Sequence, residues 1–122
     1  MKFLKVSLLM SIVFSLGICI NMYRFGYGFK DGFFRTLLAP MEGTVWANGF
    51  SEQAFNKIKI GMTMEQTASI LGEPLRKDND CSNQCFWTYA WQDTQTADFD
   101  QRSVVFSNQK QVVEIRKGFF ID

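Results

Sequence analysis

A chain of 122 residues, 47% apolar and 16% aromatic, is large enough for one modest domain and too small for a multidomain enzyme. Its net charge of +1, from 13 Lys and Arg against 12 Asp and Glu, includes no long basic run and gives no footing for nucleic acid. The chain has no histidine, the commonest general base near neutral pH and the commonest zinc ligand, so binding or scaffolding is expected and catalysis is not.

Residues 1–35 hold five cations (Lys2, Lys5, Arg24, Lys30, Arg35) against the single anion Asp31, leaving eight against eleven for residues 36–122. Val6 to Ile20 carries no charge and follows Lys2 and Lys5, the pattern of an export signal or a signal anchor. The positive flank stays in the cytoplasm, which places the body beyond the membrane, in the periplasm of a Gram-negative cell. As a helix this run reaches only about 22 Å against a hydrocarbon core of about 30 Å. Continuation through Asn21, Met22 and Tyr23 approaches spanning length, and the aromatic, basic stretch that follows suits an interface.

Residues 1–23 therefore have three fates open to them. One is a retained inner-membrane anchor with the body in the periplasm. The others are cleavage after Gly17 and acylation of Cys19, which would give a periplasmic or outer-membrane protein. Leu16 suits acylation, but Ile18 stands where a lipoprotein box calls for a small residue. Ser7, Ser11, Ser15 and Cys19 recur every four residues and line one helix face with small side chains. That face would let a second copy approach closely, although serines are also ordinary in export signals. Residues 24–50 read as an aromatic interfacial segment and connector. Phe25, Phe29, Phe33 and Leu37 form a stripe weakened by Gly26, Gly28 and Gly32, and Pro40 ends it.

The body, residues 51–117, reads as two short helices and three strands. Ser51 caps the first helix, Glu52 suits its first turn, and Phe55 and Ile58 face a core. Gly61 supplies a turn, and Thr63 with Gln66 makes a capping box for a helix from Met64 to Leu71. Gly72 and Pro74 end that helix. Phe86 to Trp91 alternates Trp87, Tyr89 and Trp91 onto one strand face. That face is a possible partner surface, with packing under the helices as the plainer alternative. Arg102–Phe106 and Val112–Arg116 read as a hairpin, leaving residues 118–122 as a tail. The expected fold is α+β, an N-terminal membrane helix followed by two helices packed on a three-stranded antiparallel sheet.

Phe55-x-x-Ile58, Gly61-Met62-Thr63, Gln66, Leu71-Gly72-x-Pro74, the aromatic strand with Trp87 and Tyr89 and the Val-rich hairpin together resemble the SmpA/OmlA (BamE-like) domain family over residues 51–116. The resemblance implies an α-α-β-β-β fold and a non-enzymatic role in cell-envelope assembly or integrity, with envelope proteins as partners. Two features depart from the family pattern: Ile18 in the acylation box, and the segment Asp80 to Cys85 before the aromatic strand. Partner and lipid contacts therefore do not transfer to named positions.

Cys81 and Cys85 fall in the exported body, where a disulfide is the default; free thiols and half a metal site compete with it. Asp93, Asp98 and Asp100, like Asp78 and Asp80, read as solvated loop residues, and Glu65 as a helix-start anion. No cofactor or metal is expected. Two roles remain: a membrane-tethered periplasmic scaffold, or an accessory subunit of an inner-membrane complex recognised through its transmembrane helix.

Overall fold

No charge interrupts the chain between Lys5 and Arg24, and Lys2–Phe25 forms one continuous helix, α1. Its 24 residues extend about 36 Å, long and apolar enough to cross a membrane. Gly26 stops it in the left-handed conformation, φ 61°, with its N–H on the Met22 carbonyl. A second helix, α2, runs over Phe29–Leu38. The expected stripe is thus divided: Phe25 ends α1, while Phe29, Phe33 and Leu37 belong to α2, so the connector expected over residues 24–50 is partly helical.

The computed structural model describes residues 1–121, in two units that divide between Glu42 and Gly43. In the first, α2 lies against the C-terminal half of α1 by virtue of two glycines. A Cβ on Gly32 would meet Met22 Cγ at 2.6 Å, and one on Gly17 would meet the Thr36 methyl at 2.9 Å. Asn21 Nδ2 donates to Thr36 Oγ1 at 2.8 Å, Thr36 Oγ1 donates to the Gly32 carbonyl at 2.7 Å, and Phe14 meets Phe33 edge-on at 5.6 Å. The Arg35 guanidinium covers the Phe25 ring at 4.1 Å and pairs with Glu42 at 3.5 Å.

The second unit is an antiparallel sheet with helices on one face. Its strands are β1 (Thr44–Trp46), β2 (Arg76–Lys77), β3 (Gln84–Gln92), β4 (Phe99–Ser107) and β5 (Val112–Phe120), in the order β1-β3-β4-β5, with β2 also paired to β3. Helices α3 (Glu52–Phe55) and α4 (Met64–Leu71) are held by the expected caps. Ser51 Oγ accepts the Ala54 N–H at 3.3 Å, and Thr63 and Gln66 exchange hydrogen bonds of 3.1 and 2.9 Å. Phe55, Ile58 and Leu71 bury their side chains against Trp87, Tyr89, Val104, Phe106 and Val112. Each fully buried side chain of this kind contributes roughly 1.5–3 kcal/mol.

The three long strands and two helices match the expected α+β fold, while β1 and β2 extend the sheet beyond the three strands read from the sequence. Part of the expected connector is therefore strand, because Thr44–Trp46 pairs with Ala90–Gln92. The expected tail is corrected too: β5 continues to Phe120, where Phe99↔Phe120 and Gln101↔Gly118 pair. The polar residues 92–98 mask the start of β4 at Phe99, and it is pairing with this early part of β4 that carries β5 to Phe120.

Candidate partner-binding site

The fold-defining residues each have a structural task. Gly61 (φ 89°) donates its N–H to the Val112 carbonyl, and the Met62 carbonyl accepts the Val112 N–H, each at 2.8 Å. Gly61-Met62-Thr63 is thus a short rung on the start of β5. Gly72 closes α4 at φ 70°, ψ −157°, a region essentially confined to glycine. Its carbonyl accepts the Tyr89 hydroxyl at 3.2 Å, joining the Leu71-Gly72-x-Pro74 turn to β3. Burial, with the nearby Glu73 charge adding, pushes the Tyr89 phenol above its ordinary range and keeps it a donor.

Trp87 and Tyr89 face the helices and are buried, so they form core and not an exposed partner surface. Trp91 does not share their face. The register moves from Thr88↔Ser103 to Ala90↔Arg102, which leaves one extra residue in β3 and turns Trp91 to the sheet face opposite the helices. Simple alternation could not reveal this bulge.

That opposite face carries a hollow of about 240 Å³ lined by Arg76, Asp78, Phe86, Thr88, Trp91, Gln101, Ser103 and Arg116. Trp91 is wedged between the Phe99 ring, 5.0 Å away, and the Arg76 guanidinium, 5.6 Å away. Arg116 lies 4.9 Å over Phe86 and binds Glu114 through both carboxylate oxygens, at 2.8 and 3.2 Å. Those hydrogen bonds, and then the Arg116 charge, hold the Glu114 carboxyl below its ordinary value. Asp78 accepts the Phe86 N–H at 2.9 Å, fixing the hollow's outer wall.

A second hollow of about 420 Å³, lined among others by Val45, Leu75 and Gln92, shares Arg76, Thr88 and Trp91 with the first. Trp91 and Arg76 thus stand between two recesses. Tryptophan and arginine are the residue types that most often anchor protein contacts. Of the residues lining these recesses, the sequence singles out Trp91 as a candidate partner-surface residue and does not single out Arg76, Phe86 or Arg116 for that role. The alternation of Phe86 with Trp87 signalled a second face, whereas nothing in the spacing signalled that Arg76 would pair beside Thr88.

Cys81 and Cys85 form a disulfide, with Cα atoms 4.8 Å apart, that closes the loop before β3. Cys85 is fully buried in the core. Asp80 accepts the Ser82 N–H within this loop, and Asp93 accepts the N–H groups of Gln95 and Thr96, so both shape turns. Asp100 is buried, contrary to the solvated-loop expectation, because β4 has already begun there.

The outer membrane protein assembly factor BamE domain matches residues 47–116, more than half of the chain. The chain belongs to this family. Ala47, where the match begins, is a core residue of the second unit, so the BamE domain starts slightly before the boundary at residue 51 suggested by the sequence. No curated protein matches the chain. Membership places the chain among small accessory proteins of outer membrane protein assembly, an envelope-associated family.

Proposed function

We propose that this protein is a membrane-tethered, non-catalytic accessory of outer membrane protein assembly, held in the inner membrane by α1, with its BamE domain in the periplasm. The observation that carries the reading is the order of parts: Lys2 and Lys5, a spanning-length apolar helix, then the BamE domain. The open sheet face around Arg76, Trp91 and Arg116 is the contact region for an envelope partner, since its rings and guanidinium groups line concave surface and none belongs to the core cluster under the helices.

A carboxyl-terminal reporter that works only outside the cytosol is expected to be active, and the intact mass of the membrane-extracted protein is expected to include residues 1–23. A reporter active only in the cytosol overturns the topology, and a mass lacking the leader or carrying an acyl chain on Cys19 overturns the anchor. A photocrosslinker replacing Trp91 is expected to capture an envelope assembly protein that one replacing Gln66, beyond the opposite face, does not. Equal capture from both positions removes the open face as the contact region.

A second reading, an accessory subunit recognised through its transmembrane helix, is favoured by a shallow groove on α1 lined by Ser11, Ile12, Ser15, Leu16 and Cys19. Within and beside it the small side chains of Ser7, Ser11, Ser15 and Cys19 suit a second copy or another helix. Substituting Leu for Ser11 and Ser15 should abolish partner crosslinking under this reading and leave it unchanged under the first.

A further inference from the structure

We propose that α2 is immersed in the outer half of the same bilayer that α1 crosses, with Phe29 and Leu37 in contact with lipid acyl chains. The inference rests on the reading that α1 is a retained anchor. It follows from which part of α1 the second helix touches. Phe14, Gly17, Ile18, Asn21 and Met22 of α1 meet α2, and Phe25 at the end of α1 meets Arg35. If the apolar stretch of α1 from Val6 to about Tyr23 fills the hydrocarbon layer, as its length requires, then Phe14, Gly17 and Ile18 lie from its middle into its outer half, and a helix packed on them lies at their depth.

The exposed apolar side chains of α2 fit that depth. The charged residues Lys30 and Asp31 lie in its first turn, next to the turn that joins it to the outer end of α1, from which the long Lys30 side chain can reach the headgroups. Phe29 and Leu37 are 66% and 50% exposed in the isolated chain, as are lipid-facing residues of α1 such as Leu9 at 61%. In water they would form an uncovered apolar surface; in the leaflet they continue the apolar surface of α1. The polar groups between the helices are paired internally: Asn21 with Thr36, and Thr36 with the Gly32 carbonyl. Such pairing is what groups withdrawn from water need. Arg35 reaches back to Asn21 and the Phe25 ring and pairs with Glu42, so its charge gathers at the end of α1 that carries Tyr23 and Arg24. That end is the headgroup level. The chain leaving α2 returns to it through Glu42, with the Met41 N–H held by the Leu38 carbonyl.

The test uses full-length protein carrying Cys19→Ser in lipid vesicles, with the Cys81–Cys85 disulfide intact. A nitroxide is attached at Leu37→Cys, Phe29→Cys, Leu9→Cys or Gln109→Cys. Collisions are measured with oxygen, which concentrates in lipid, and with a water-soluble nickel chelate. Positions 29 and 37 are expected to follow position 9, with frequent oxygen and few nickel collisions, and position 109 to show the reverse. If position 37 follows position 109 while position 9 remains in lipid, α2 lies in water: the inference falls and the anchor stands. If position 9 also meets the nickel chelate, the anchor itself falls. Shielding of position 37 from both reagents, with dipolar broadening between copies, would mean that a second copy covers this face, and would equally overturn the assignment to lipid.

Discussion

Arg102 places a guanidinium with no side-chain exposure under α3, where Glu52 receives its Nε at 3.1 Å and Lys117 approaches the same carboxylate at 2.7 Å. Removing one member of a buried pair leaves the other charge desolvated, a loss of several kcal/mol in such sites. Glu52→Gln is therefore expected to destabilise the protein by roughly 3 kcal/mol, read from tryptophan fluorescence during urea unfolding in micelles. Lys117→Met should cost less, because Lys117 remains partly hydrated. Near-equal losses would show that Arg102 does not depend on Glu52. The sequence disclosed the cap at Ser51 but not this pair, since fifty residues and no recurring spacing separate its partners. At Glu114 the sign follows from its lowered pKa: its link to Arg116 is complete above the ordinary value of 4.5 and is lost as pH falls through the lower folded value. Arg116→Gln should move the Glu114 carboxyl titration upward, as followed by carbon NMR. An unmoved midpoint would mean that the guanidinium is not the cause.

At the scale of elements, the clearest sequence signals were those that act locally. The Thr63–Gln66 box and the stop at Gly72 involve neighbours along the chain, so residue order alone reveals them. The β3 bulge, strand β1 and the end of β5 depend on partners remote in sequence, which is why they were missed. Gly72→Ala tests the local side: its backbone region is nearly closed to residues with a Cβ, so a loss of about 1–3 kcal/mol is expected. The hydrogen bond from the Tyr89 hydroxyl to the Gly72 carbonyl should be displaced at the same time, seen as a shift of the Tyr89 ring resonances by NMR. The disulfide tests another element. Closing so short a loop contributes about 2 kcal/mol in the chain-entropy account, so Cys81→Ala/Cys85→Ala should weaken the protein and leave it folded. In denaturant without reductant, an alkylating reagent should modify only Cys19, the single free cysteine among the described residues. Modification of three thiols would show that the bridge is absent.

For the whole molecule, the decisive question is whether the BamE domain needs the helices that precede it. Its core cluster runs from Ala47 to Val112, and its buried ion pair joins Glu52 to Arg102, so every member lies in the second unit. Residues 43–122, exported behind a cleavable signal, should therefore fold with an unfolding free energy close to that of the same unit in the full chain, while moving from the membrane to the soluble periplasmic fraction. If the open face recognises the partner, a crosslinker replacing Trp91 should capture the same envelope protein from this fragment. The yield should be lower, because release from the membrane removes the high effective concentration that a tether provides. Restoring the anchor should recover the yield without altering which protein is captured. A fragment that folds and captures nothing would move recognition to α1 and α2, whereas one that fails to fold would show that the N-terminal helices contribute to the domain's stability.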